Sequence, residues 1–169
     1  HARRDGLGLA PEARRLLERV HLDFVLAGAR LDERAKLRFA AVSERLAELQ
    51  TTFSQNVLHD ESTWVLWLTD ERDLAGLPAF VRAAAREAAE QRGRSDAWAI
   101  TLSRSVVAPF LTYSDRRDLR EQAFKAWTQR GEHAGEYDNC PVAREILALR
   151  HEQARLMGYA SYAEYALVD

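Results

Sequence analysis

The sequence predicts a mainly α fold: a helical domain with long antiparallel helices and a minor element of two short strands. Three observations carry this. Apolar residues recur in steps of three and four over most of the 169 residues. Pro, Gly and Asp stand where helices would start and stop. Only two segments, WVLWLT (64–69) and WAITL (98–102), combine the brevity of strands with aromatic, Val, Ile and Thr content.

Pro11 suits the first position of a helix, because the N–H it lacks would be unpaired there anyway. Leu16, Leu17, Val20, Phe24 and Ala27 then repeat at helical spacing, and Gly28 ends the run. Asp32 can cap the next helix. Its stripe runs through Ala35, Phe39, Val42, Leu46, Leu49, Phe53 and Val57. That is a helix of about 26 residues, roughly 40 Å long. The short link predicts that the two helices are antiparallel.

After the first strand, AGLP (75–78) starts a helix whose inner face would be Phe80, Val81, Ala84, Ala85 and Ala88, with Gly93 ending it. The second strand follows, too far along the chain for a tight hairpin with the first. Pro109 argues against a long regular helix over 105–113. Ser114 can cap a helix running to about Gln129 through Leu119, Ala123, Phe124, Ala126 and Trp127. RGEHAGEYDN (130–139) reads as a polar loop. Asn139 can cap the next helix, with Pro141 in its first turn and Gly158 stopping it. SYAE (161–164) has the form of a capping box opening a last helix.

Composition excludes several classes. Hydrophobic residues make up 47% and charged residues 30%, as in globular chains, and the net charge is -2. Nothing therefore draws the whole chain to nucleic acid or to an anionic membrane, and Arg is dispersed among acids. No apolar run approaches the roughly 20 residues of a membrane span. The single cysteine, Cys140, rules out an internal disulfide framework and suits a reducing, cytoplasmic setting. The chain begins at His1 and stops at Val168-Asp169, just after a helical start, which suggests a piece of something longer.

His151-Glu152 followed by Arg155 looks like an incomplete zinc-protease motif. That motif needs a second His four residues after the first, so that both imidazoles share a helix face. Arg155 is a permanent cation and cannot ligate. His151 lies about 140° and Arg155 about 180° round the helix from Ile146, on the solvated side. The stretch therefore reads as an amphipathic helix, with Glu152 placed to pair with Arg155. HDE (59–61) reads as the polar end of the long helix, and His133 and Glu136 as solvated loop residues. Cys140 reads as an inert thiol, and GLGLA (6–10) lacks the strand and Lys of a phosphate loop. The residues alone thus show no catalytic and no metal-ligating constellation, and leave substrate-binding residues unassigned.

The linear pattern resembles a known family. LDFVLAGARLDERAKLRFAAVSERLAELQTTFSQNVL, LTDERDLAGLP, LREQAFKAW followed by Arg and Asp-Asn, and EILALRHEQARLMGYASYAEYAL occur in its order. The family is that of the thimet-oligopeptidase-like zinc metallopeptidases, in the bacterial oligopeptidase A and peptidyl-dipeptidase branch. The resemblance implies a largely helical fold whose two halves flank a channel, and hydrolysis of short peptides with one zinc ion. It also implies that the His-Glu-x-x-His motif lies downstream of residues 1–169. The whole chain would then be a single segment of channel-wall scaffold. It would hold no cofactor of its own and be inactive alone, with the rest of the parent as its partner and self-association when excised. The alternatives are a stand-alone helical module binding peptide or protein, and an independent metal enzyme using His59, His133 or His151.

Overall fold

The computed structural model describes residues 4–168. Its helices are α1 (Pro11–Leu26), α2 (Glu33–Thr63), α3 (Ala79–Glu90), α4 (Arg104–Tyr113), α5 (Arg117–Thr128), α6 (Asn139–Leu156) and α7 (Tyr162–Ala166). Strands β1 (Val65–Leu68) and β2 (Trp98–Thr101) pair antiparallel, with Val65 opposite Thr101 and Leu68 opposite Trp98. The expected mainly α class with one small strand pair is what forms. None of the helices described is long and apolar enough to cross a membrane.

The described residues fall into two compact units, one comprising 4–50 with 144–168, the other 51–143. In the first, Val42, Leu46, Leu49, Ile146 and Ala154 are buried. Two forked ion pairs link α2 to α6. Arg38 donates to Glu152 at 2.5 and 2.7 Å, and Arg45 to Glu145 at 2.7 and 3.0 Å. Glu152 therefore pairs with Arg38 and not with the expected Arg155. A planar guanidinium meeting a carboxylate in two parallel bonds outweighs a single-file pair along one helix. Asp32 caps α2 as expected, its carboxylate accepting from Ala35 N–H at 2.8 Å. Ser161 accepts from Glu164 N–H at 3.2 Å at the start of α7, and Glu164 reaches back to Ala160 N–H at 3.1 Å. The stripe on α1 is present in sequence, yet no residue of α1 is buried, and Leu16 and Phe24 are 64% and 65% exposed.

The second unit has the principal core. Leu68, Leu74, Leu77, Val81, Ala85, Ile100, Val107, Phe110, Leu119 and Ala123 pack together between the strand pair and α3, α4 and α5. On α3 the buried line is Val81, Ala85 and Ala89, while Phe80 is 60% exposed and edge-on to Tyr113. Phe80 thus stands one position out of phase with the inner face expected for it. Pro109 lies inside α4, which continues through it to Tyr113. One missing N–H is tolerated in a helix whose Val107 and Phe110 are fully buried.

Two caps fall one position or more from their expected places. Ser114 is buried and its hydroxyl accepts from Arg116 N–H at 3.2 Å, forming a turn between α4 and α5 instead of the cap of α5. At α6 the capping oxygen belongs to Asp138, which accepts from Cys140 N–H at 2.8 Å. Asn139 is freed for another use.

Candidate functional site

Four of the residues weighed in the sequence meet at one edge of the second unit. The last two turns of α2 present His59, Asp60 and Glu61, and the loop after α5 brings Arg130, Gly131 and His133 to them. Asp60 is the centre. Its carboxylate accepts from Gly131 N–H at 2.7 Å and lies 2.9 Å from His133 Nε2 through both oxygens. Glu61 pairs with Arg130, whose Nε donates to Trp127 O at 2.8 Å. The His59 ring stacks on Tyr137 with centroids 3.6 Å apart and planes within 7°. Glu136, considered with His133, is exposed and joins no part of this cluster.

Asn139 holds the loop from behind. Its Oδ1 accepts from Asn56 Nδ2 at 2.9 Å and its Nδ2 donates to Phe53 O at 3.0 Å. Its backbone N–H donates to Gly131 O at 2.7 Å. Gly131 has φ +71°, and a Cβ there would stand 2.6 Å from Asn139 Nδ2, so the residue is glycine for space as well as for conformation. This brace went unseen in the sequence, where Asn139 reads as an ordinary cap.

The cluster borders an open groove of about 710 Å³. Trp64, Leu102 and Ala126 are its apolar lining, and Asp60, Thr63, Gln122, Gln129, Glu132 and His133 its polar lining. Gln122 and Ala126 on α5 and Gln129 at its C-cap recur at steps of four and three, with the small Ala between two amides.

Burial pushes the Asp60 carboxyl up, but the Gly131 N–H and then His133 favour the anion more, and the net position is below the ordinary carboxylate value. A carboxyl depressed in the folded state stabilises at pH above its unfolded value of about 3.9, and that contribution is lost as pH falls through the folded value. Asp60→Asn is accordingly expected to lower the urea midpoint most at pH 6–7, with the deficit narrowing below about pH 4. A deficit that stays constant from pH 7 to pH 3 would show that the charge of Asp60 does not matter.

The remaining candidates are dispersed. His151 and Arg155 are exposed on α6, Cys140 is half-buried in its first turn, and His21 faces Arg30 at 3.3 Å. His1 lies outside the described residues. Among the described residues no group of three or more His, Cys, Asp or Glu side chains is placed to hold a metal ion.

The model of peptidase family M3 matches residues 110–169. Over 149 residues the chain is 40% identical to oligopeptidase A of Salmonella typhimurium, covering 86% of this chain and 22% of that protein. It is 33% identical over 166 residues to the dipeptidyl carboxypeptidase of the same organism, covering 98% of this chain and 24% of the relative. The organellar oligopeptidase A of Arabidopsis thaliana is 31% identical over 169 residues, covering 96% and 21% respectively. The chain thus spans about a fifth to a quarter of the length of these relatives.

Proposed function

Since this chain belongs to peptidase family M3, we propose that it is a non-catalytic length of the helical channel wall of a zinc-dependent oligopeptidase or dipeptidyl carboxypeptidase acting on short peptides. The observation that carries the reading is the 40% identity running along 86% of this chain while matching only 22% of the relative. Chemistry of the donor set supports it from the other side. A hydrolytic zinc ion needs three converging protein ligands and a general base. The residues described do not fit one: His59, His133 and His151 are turned to Tyr137, to Asp60 and to solvent. Zinc and its ligands are therefore assigned to the rest of the parent, which is also the proposed cover of the bare apolar face of α1. Cytoplasmic residence is part of the same proposal and rests on the single cysteine.

Calorimetric titration of this chain with zinc is expected to show no stoichiometric tight site, and the chain plus zinc to leave an internally quenched peptide uncut. One tight site per chain, or zinc-dependent cleavage, would overturn the non-catalytic assignment. A parent chain carrying both this segment and its downstream sequence is expected to cleave the same peptide.

A further inference from the structure

We infer that the groove between the end of α2 and α5 is a binding site for an extended peptide segment bearing a Lys or Arg side chain. The inference rests on the reading that the parent acts on short peptides, and it adds where this chain touches them and which side chain it prefers.

The backbone contacts come from the two amides. Gln122 on α5 and Gln129, the residue that closes it, are exposed along the groove, and neither side chain is bonded to another described residue. They stand seven positions apart along α5 and its C-cap, about 10 Å of rise. An extended peptide advances about 3.3 Å per residue, so the two amides match peptide groups about three residues apart. Each amide offers both a donor and an acceptor, which is what an unpaired peptide backbone lacks. Ala126 between them is too small to block the chain.

Charge sets the preference. The acids lining the groove are Asp60 and Glu132. Asp60 keeps its charge at neutral pH, held below the ordinary carboxylate value. Glu132 is exposed and makes no ion pair within the described residues. No arginine lines the groove, and Arg130 beside it is committed to Glu61 and lies over the Trp127 ring at 5.5 Å. The nitrogen on the rim is His133 Nε2, turned onto Asp60. A cationic side chain entering here meets the exposed Glu132 carboxylate, with the Asp60 carboxylate behind His133 adding to the negative field, and its methylene stem has the Trp64 ring to lie on. An acidic side chain meets like charge at Glu132.

The test is a ¹H–¹⁵N correlation spectrum of the whole chain titrated with the pentapeptide Ala-Ala-Lys-Ala-Ala, blocked at both ends, and with its Glu analogue. The side-chain NH₂ pairs of Gln122 and Gln129 and the indole N–H of Trp64 are each directly visible. The lysine peptide is expected to shift these signals and the glutamate peptide to leave them in place. Glu132→Gln, an exposed change that leaves the core untouched, is expected to weaken the lysine peptide by about two- to fivefold, the worth of one partly exposed ion pair. Ala126→Phe, which puts a bulky ring between the two amides, is expected to abolish the shifts, with the unchanged remainder of the spectrum reporting an intact fold. Equal response to both peptides, shifts centred elsewhere, or no shifts at millimolar peptide would each overturn the site. Any of these leaves the scaffold reading standing, because the zinc titration decides that separately.

Discussion

Gly76→Ala is expected to cost about 3–5 kcal/mol of folding stability, among the largest losses any single substitution here would cause. Two terms add. Gly76 has φ +80°, where an L side chain is strained by roughly 1–2 kcal/mol. The added Cβ would also collide with the carbonyl oxygen of Tyr113 and stand 2.9 Å from the backbone nitrogen of Asp115. Those are main-chain atoms and cannot rotate aside. They are moreover pinned in place, since Asp115 N–H donates to Ala75 O at 2.9 Å and Arg116 pairs with Asp73. Leu74 and Leu77 on either side are 5% and 3% exposed, so any displacement passes into the core. Gly93→Ala provides the control. Its φ is +75° but a Cβ there meets nothing within 4 Å, so only the strain term applies. Urea midpoints for both variants separate the terms. A loss for Gly76→Ala no greater than for Gly93→Ala would remove the collision from the account.

What the sequence made legible follows from the range of each signal. Helical periodicity is local and repeats, so α2 declares itself through Val42, Leu46 and Leu49, as a helix of about 26 residues against the 31 that form. The strand pair declares itself through Trp, Val and Ile in two short runs. The partner of a side chain is a different matter. Glu152 has Arg155 three positions away, but its carboxylate goes to Arg38, 114 positions away. Asp60 meets His133 across 73 positions. No local rule orders such pairs, because they depend on which helix faces arrive together. Phe80 shows the same limit at the level of phase, since one apolar face of α3 offers two adjacent lines and packing selects the one through Val81 and Ala85. Gln122 and Gln129 gave no warning at all. Glutamine is common on solvated helix faces, and nothing local singles out these two from the rest.

The cap of α6 shows how chemistry settles what propensity leaves tied. Asp138 and Asn139 are nearly equal as caps. Only one of them can serve the brace, which needs an acceptor for Asn56 and a donor for Phe53 O. A carboxylate supplies no donor, whereas an amide supplies both. Asp therefore caps and Asn turns inward. The loop it holds carries Glu132 and His133, so the shape of the groove depends on a residue that does not line it.

Asn139→Ala is expected to cost about 2–4 kcal/mol, against about 1 kcal/mol for loss of the neighbouring cap in Asp138→Ala. Asn56 and Asn139 are 7% and 4% exposed, so the alanine leaves the Asn56 amide in a dry place without its acceptor and removes the donor to Phe53 O. Asn56→Ala strands one acceptor and spares the Phe53 bond, so its cost is expected to be smaller. The two losses share one hydrogen bond and cannot add in full. A double-mutant cycle by urea unfolding is expected to give a coupling of about 0.5–2 kcal/mol, with the double variant less damaged than the sum. Full additivity would mean that the two amides act independently and that the loop is held by the Gly131 carbonyl alone. The structural consequence is visible separately. With Asn139 gone, the Gly131–Asp60 hydrogen bond loses its backing, and the amide protons of residues 130–137 are expected to exchange faster in Asn139→Ala than in Asp138→Ala. Equal exchange in the two variants would place the hold on this loop in the α6 cap and not in the buried amide pair.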